Sequence, residues 1–376
     1  MKLRSLVLFT FFAISLSLFA CKKDPNVIPI GEFGSLTGTT ATFGLSTHNG
    51  ILLATEEVNA QGGILNKKIK IISEDDQSKP EEAKTAVLKL IKQNEVKAVL
   101  GEVASSRSLA AAPECQKAKI PMISPASTNP KVTEVGNYIF RACFVDTFQG
   151  STMAKFAYNN LKAHKVAIIK DVKNDYSVGL ADFFEKTFKQ LGGEIVSIES
   201  YSEGDIEFRA QLTSIKNKSP DAIYAPGYYT EVGLIARQAR ELGITVPFLG
   251  GDGWDSPKTL EIGGKAVEGS YFSNHYAADD PNPVVQNFIA KYKKKYGETP
   301  DAMAVLGYDS ANILFDAIKR ANTLDSTKIR DAIAETKNFP GVSGNITMDR
   351  NRNAEKRIVV LKIEDGKIKF AEAINP

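Results

Sequence analysis

Five short loops of this 376-residue chain carry residue types that can hold a small charged molecule. Glu102-Val103-Ala104-Ser105-Ser106-Arg107 follows an apolar run and opens an alanine-rich stretch. That places Ser105 or Ser106 at a helix start, where free N–H groups attract an anion. The same serines could simply cap the helix. Ser124-Pro125-Ala126-Ser127-Thr128-Asn129-Pro130 is a hydroxyl-rich turn between prolines that restrict its backbone. Two such strand ends side by side can hold a carboxylate without a buried cation, although an ordinary Ser/Thr turn reads the same way. Asp175-Tyr176-Ser177, Gly227-Tyr228-Tyr229 and Gly250-Gly251-Asp252-Gly253-Trp254-Asp255 add acidic and aromatic groups. A carboxylate among aromatic faces suits an ammonium, and glycines let backbone approach a ligand closely. Against this stand core packing for the tyrosines and a turn-forming role for Asp252.

Catalytic chemistry finds little support. The chain has no Gly-x-Ser-x-Gly elbow, His-Glu-x-x-His, P-loop or dinucleotide fingerprint, so no enzyme and no cofactor are expected. His48, His164 and His275 sit in no metal-ligand spacing and read as surface or loop residues, so no metal site is expected. Asp75-Asp76 reads as a solvated strand end. Besides Cys21, only Cys115 and Cys143 occur, a count that permits one bridge between them or two buried free thiols.

The elements that must position these loops alternate along the chain. Strands are predicted at 27–31, 68–73, 96–101 and 120–123, with helices at 45–59, 80–93 and 106–117 between and after them. The pattern restarts after 141–150. Helices at 152–160, 177–191, 207–216 and 229–242 then alternate with strands at 165–170, 194–201, 222–225, 247–249 and 269–273. Such βαβα order builds parallel sheets covered by helices, with ligands collecting beyond the carboxyl ends of the strands. Helices at 284–296, 303–320 and 328–336 precede a polar, hairpin-like tail from 341 to 370.

The N-terminus carries Lys2 and Arg4, an apolar run of about 15 residues that is too short to span a bilayer, and Leu18-Phe19-Ala20-Cys21. It reads as a secretory signal ending in a lipoprotein-type cleavage site, with Cys21 becoming the lipidated N-terminus. An ordinary signal peptide with an incidental cysteine is the alternative. Loss of Lys2 and Arg4 lowers the formal charge from +3 to +1, so neither nucleic acid nor an anionic surface is implied. With 43% hydrophobic and 24% charged residues, the remaining chain is long enough for two lobes with large cores.

Together, Gly31-Glu32-Phe33-Gly34-Ser35-Leu36-Thr37-Gly38, Gly62-Gly63-Ile64-Leu65, Pro125-Ala126-Ser127-Thr128, Asn174-Asp175-Tyr176-Ser177 and Gly250-Gly251-Asp252-Gly253-Trp254 resemble the branched-chain amino-acid-binding proteins of ABC importers, over nearly all of the mature chain. The resemblance implies a two-lobed α/β fold of the type I periplasmic-binding-protein kind, each lobe an open, mainly parallel sheet flanked by helices. Three hinge crossings would fall near Asp146, Asn274 and Arg352. The expected organisation is a signal peptide at 1–20, a lipidated tether at 21–27, an N-terminal lobe of 28–145 plus 275–351, and a C-terminal lobe of 146–274 plus 352–376.

By the same resemblance, Ser105 and Thr128 match hydroxyls that hold the ligand carboxylate, and Ala126 matches a backbone contact beside them. Tyr176 and Tyr228 match aromatics of the opposite lobe, and Asp252 stands on a shorter arm where relatives pair a glutamate with the ligand's ammonium. Phe43 and Met303 match apolar positions at the ligand side chain. Ala104 stands where enteric relatives have a disulfide cysteine, with Gln77 near its partner's place. The implied function is an extracytoplasmic, lipid-anchored, monomeric solute-binding protein that captures a branched-chain or other apolar amino acid by hinge closure and passes it to membrane permease subunits. A sensing receptor of the same fold for an amide, a urea-like compound or another metabolite is the alternative.

Overall fold

The computed structural model describes residues 24–375. The first sheet contains β1 (Val27–Gly34), β2 (Lys68–Asp75), β3 (Val99–Leu100), β4 (Met122–Ser124) and β5 (Ile139–Arg141), in the order β2-β1-β3-β4-β5 with every pairing parallel. Its connections carry α1 (Ala41–Ala60), α2 (Pro80–Lys92), α3 (Ser105–Ala118) and α4 (Lys131–Glu134). Side chains alternate along β1, so Ile28 and Ile30 enter the core on one face and Phe33 the core on the other. Local chemistry agrees with the fold in α2. Pro80 opens it, Glu81 and Glu82 occupy its first turn and Lys89 and Lys92 its last, each charge complementing the helix dipole.

The chain then leaves this sheet. Helix α5 (Asp146–Asn159) leads into β6 (Lys165–Asp171), followed by α6 (Asp175–Gln190), β7 (Glu194–Tyr201), α7 (Arg209–Asn217), β8 (Ala222–Tyr224), α8 (Tyr229–Glu241), β9 (Phe248–Gly250), α9 (Pro257–Gly263) and β10 (Tyr271–Asn274). It returns to the first lobe with α10 (Pro283–Tyr296), α11 (Ala302–Ala321), α12 (Ser326–Ala334) and a small antiparallel sheet of β11 (Phe339–Gly341), β12 (Gly344–Met348) and β13 (Ala354–Glu355). A third passage brings β14 (Ile358–Glu364) and β15 (Lys367–Ile374) to the second sheet, whose order is β15-β14-β10-β9-β8-β6-β7. β14 runs antiparallel to both β10 and β15, so the end of the hairpin-like tail is a β14–β15 hairpin that extends the second sheet. Ile358, Val359, Val360 and Leu361 are all buried, as a strand covered on both faces must be.

Helices α1 and α11 touch backbone to backbone. A Cβ on Gly50 would lie 2.0 Å from the Ala304 carbonyl oxygen, and one on Gly307 would lie 2.4 Å from that of Thr47, so each glycine is required for the approach. Tyr292 and Phe288 of α10 pack with Leu53 of α1 and Val305 of α11 in a further cluster. Among the described residues no helix is long and apolar enough to cross a membrane. The expected signal segment and Cys21 lie outside the described residues.

Candidate functional site in the gap between the lobes

The loops that leave β3, β4, β6, β8 and β9 at their carboxyl ends face one another across the gap, as open parallel sheets require of a ligand site. Phe43, Val103, Ala126 and Met303 from the first lobe, and Tyr176, Tyr228, Asp252 and Gly253 from the second, line a cavity with about 200 Å³ of atom-free space.

The aromatic wall is ordered. Tyr176 and Tyr228 stack with centroids 5.4 Å apart and planes 10° off parallel, and Phe43 meets Tyr228 and Tyr229 edge-on at 5.6 and 4.9 Å. Tyr176 follows the N-cap Asn174, whose side chain accepts its N–H at 3.0 Å. The Tyr176 hydroxyl then accepts the Gly253 N–H at 3.1 Å. A Cβ on Gly253 would come within 2.8 Å of the Gly227 carbonyl oxygen and 2.9 Å of the Tyr228 ring, so only glycine lets this loop close on the tyrosines.

Asp252 is buried, and its two carboxylate oxygens have different surroundings. Oδ2 lies 3.0 Å from His275 Nε2, while Oδ1 has no hydrogen-bond partner among the described residues. Gln149 links this acid to a second one, accepting the Asp252 N–H at 3.0 Å and donating to Asp146 Oδ1 at 3.1 Å. Asp146 Oδ2 is also buried and unpartnered. Burial, reinforced by the charge of Asp252, pushes the Asp146 carboxyl up to about 7. Burial brings His275 down to about 4, which leaves a neutral imidazole at neutral pH. The cavity therefore presents unpartnered carboxyl oxygens on one side, an arrangement that suits a ligand with hydrogen-bond donors and positive charge.

In the first lobe Arg141 is fully buried and donates to the carbonyls of Ser127 at 2.6 Å and Asn129 at 2.8 Å. A trans peptide points its N–H opposite to its C=O, so this grip turns the Thr128 N–H away from the guanidinium. Thr128 Oγ1 lies near the Asp146 carboxyl without an aligned hydrogen bond to it. Ser105 Oγ accepts the Asn129 N–H at 3.2 Å. Ser105 and Thr128 are buried beside the cavity rather than in its lining.

Residues 27–367 match the sequence profile of a family described as periplasmic binding protein. A Leu/Ile/Val-binding protein of Rhizobium johnstonii is 30% identical over 348 residues, covering 92% of this chain and 94% of that one. The chain belongs to the Leu/Ile/Val-binding family of periplasmic binding proteins. A leucine binding protein from Thermotoga maritima superposes with a TM-score of 0.90 at 44% identity, over 93% of this chain and 99% of that one. The branched-chain amino acid transporter substrate binding protein of Streptococcus pneumoniae, solved in complex with isoleucine, superposes with a TM-score of 0.89 at 35% identity, over 93% of this chain and 100% of its own. Proteins of this family bind solutes for transporters and are not enzymes.

Several expectations change in this binding protein. Neither Ser105 nor Ser106 caps α3, because the N-cap is Ala104 and makes no side-chain cap. Ser106 instead reaches Asp175 across the gap. Trp254 belongs to the core of the second lobe, with Nε1 donating to the Ala225 carbonyl at 3.0 Å, rather than to the site. Asp76 is not solvated: it is fully buried, accepts from Ser35 Oγ at 2.8 Å, and lies with Glu102 and Arg107 in one charged cluster beneath the Ser105 loop. Cys115 and Cys143 form no bridge; both are buried free thiols, in different hydrophobic clusters. Burial pushes the Cys143 thiol up to about 12, which leaves it unreactive. His275 lies in the loop after β10 but is fully buried rather than at the surface, and with Asp146 and Gln149 it is a site residue that loop reading did not find.

Proposed function

We propose that this binding protein captures an α-amino acid with a branched or other apolar side chain, closes its lobes on it, and presents the closed form to the permease subunits of an ABC importer. The observation that carries the reading is the unpartnered Asp252 Oδ1 in an otherwise largely apolar and aromatic cavity. A ligand ammonium would satisfy it, the hydroxyls and amides around Ser105, Ala126 and Thr128 would take the carboxylate, and Phe43, Met303 and the tyrosines would cover the alkyl group. Neutral amides or urea would leave the buried acid uncompensated, which costs more than they gain. Hydrogen bonds to charged groups contribute about 1.5–3 kcal/mol each, so three or four of them with a buried alkyl group reach the roughly 8 kcal/mol of micromolar binding.

The test is calorimetry against leucine, isoleucine and valine, with isopentylamine, 4-methylpentanoate, acetamide and urea as controls. Tight binding of the amino acids alone is expected; equal binding of an amide would remove the reading. Anchoring through a lipid on Cys21 is a further part of the proposal, supported by the Leu18-Phe19-Ala20-Cys21 sequence. Mass spectrometry of the protein expressed with its leader would find an acylated Cys21, and an unmodified thiol there would remove that part.

A further inference from the structure

His275 follows Asn274, the last residue of β10, where the chain passes back to the first lobe, and its ring has no exposed surface. Phe144, between β5 and α5 on the first passage between the lobes, stacks on the ring with centroids 3.8 Å apart and planes 16° off parallel. Lys356, on the third passage, is also buried; it donates to Ser343 Oγ, and its charge acts on the imidazole together with that of Asp252. The first two connecting segments thus pack together at this histidine, and the third brings a buried cation whose field it feels. Its Nε2 faces Asp252 Oδ2, and because a carboxylate only accepts, Nε2 carries the proton. Nδ1 is then a bare acceptor, without a partner among the described residues.

The choice of a neutral donor has a chemical consequence. A lysine or arginine at this position would cancel the charge of Asp252 and compete with a ligand ammonium. An imidazole orients the carboxylate by one hydrogen bond without adding a positive charge of its own. We propose that His275 is a positioning residue for ammonium recognition: from the hinge it donates Nε2–H to Asp252 Oδ2, fixes the carboxylate with Oδ1 free for the ligand, and so ties the reading of positive charge to the geometry of the connecting segments. This deepens, and rests on, the amino-acid reading above.

The test uses His275→Phe, which keeps the stacking on Phe144 and removes the donor, and His275→Gln, which keeps a donor and removes the stacking. Calorimetry compares leucine with 4-methylpentanoate, its analogue without the amine. The expected result is a roughly ten- to hundredfold loss of leucine affinity in His275→Phe, little change for 4-methylpentanoate, and recovery to within about threefold in His275→Gln. Equal losses for both ligands, or a greater loss in the glutamine variant, would show a packing role and overturn the proposal. Should either variant fail to fold, the imidazole ¹⁵N shifts of the unsubstituted protein decide: an Nε2-protonated tautomer is expected, and an Nδ1-protonated ring overturns it. An unsubstituted protein that binds no α-amino acid counts against the amino-acid reading instead, and the tautomer measurement still judges the pairing of His275 with Asp252.

Discussion

Ser106 of the first lobe and Asp175 of the second share two hydrogen bonds across the gap: Ser106 Oγ donates to Asp175 Oδ2 at 2.8 Å and accepts the Asp175 N–H at 2.9 Å. Asn129 Nδ2 adds a third bond, to the Asp175 carbonyl at 2.7 Å, and the Tyr229 hydroxyl donates to the Thr39 carbonyl at 3.0 Å. These contacts join lobe to lobe beside the lining of the cavity. Ser106→Ala should therefore weaken every ligand by the same factor, about 1–2 kcal/mol, and act through faster release. Stopped-flow dissociation of leucine and valine checks this; a selective loss for one of them would place Ser106 on the ligand instead.

Asp252→Ala should weaken amino-acid binding by about 3 kcal/mol or more, because truncation leaves a buried ammonium unpaired. Calorimetry giving near-native affinity would show that the ammonium lies elsewhere.

Ser105→Ala combined with Thr128→Ala should cost about 2–4 kcal/mol of leucine affinity while leaving isopentylamine, which has no carboxylate, unchanged. The double variant also tests whether these residues, buried beside the cavity, face the ligand once it is bound. Parallel losses for leucine and amine would move the carboxylate to another part of the gap.

Asp146 makes stability depend on pH in a defined direction. Its folded-state pKa is raised from 3.8 to about 7, so between those values the folded protein keeps a proton that the unfolded chain has released. The stability this contributes is complete at low pH and is lost as pH rises through 7. Asp146→Asn keeps the Gln149 contact and removes the ionisation, so the variant should gain on the unsubstituted protein by roughly 2–3 kcal/mol between pH 5 and pH 8.5. Urea denaturation at the two pH values measures it, and a constant difference would show that Asp146 does not titrate there.

Cys115 and Cys143 should both alkylate in denaturant without reductant and neither in the native protein, because both are buried thiols. Peptide mapping that finds a linked pair would contradict the structure.

Much of the site was legible in the sequence because βα loops declare themselves by composition. Tyr176, Tyr228 and Asp252 stand in short Gly- or Asp-bearing turns after apolar strands, and the structure brings them to one cavity. Phe43 and Met303, which lie within α1 and α11, carried no local signal and came from family resemblance alone. Strand β5 gave no strand signal because its Ile139-Phe140 pair is followed at once by charged Arg141. Asp76 was misread because a pair of acids at a strand end says nothing about which one turns inward. Asp75 accepts the Leu36, Thr37 and Gln77 N–H groups near the surface, while Asp76 goes under the Ser105 loop. His275 was missed for a related reason. A single histidine after a strand has no periodicity or spacing to mark it, and its role arises only where segments distant in sequence converge.

The glycine contact between α1 and α11 bears on how this pocket can change. Phe43 lies in the first turn of one helix and Met303 in that of the other, and Gly50 and Gly307 bring the two axes too close to slide past a Cβ. The part of the first lobe's apolar wall that carries Phe43 and Met303 is therefore held as one unit. What these two helices offer a ligand can change only by exchanging Phe43 or Met303, and a bulkier residue at Gly50, about two helical turns from Phe43, or at Gly307, about one turn from Met303, would reshape the pocket from a distance.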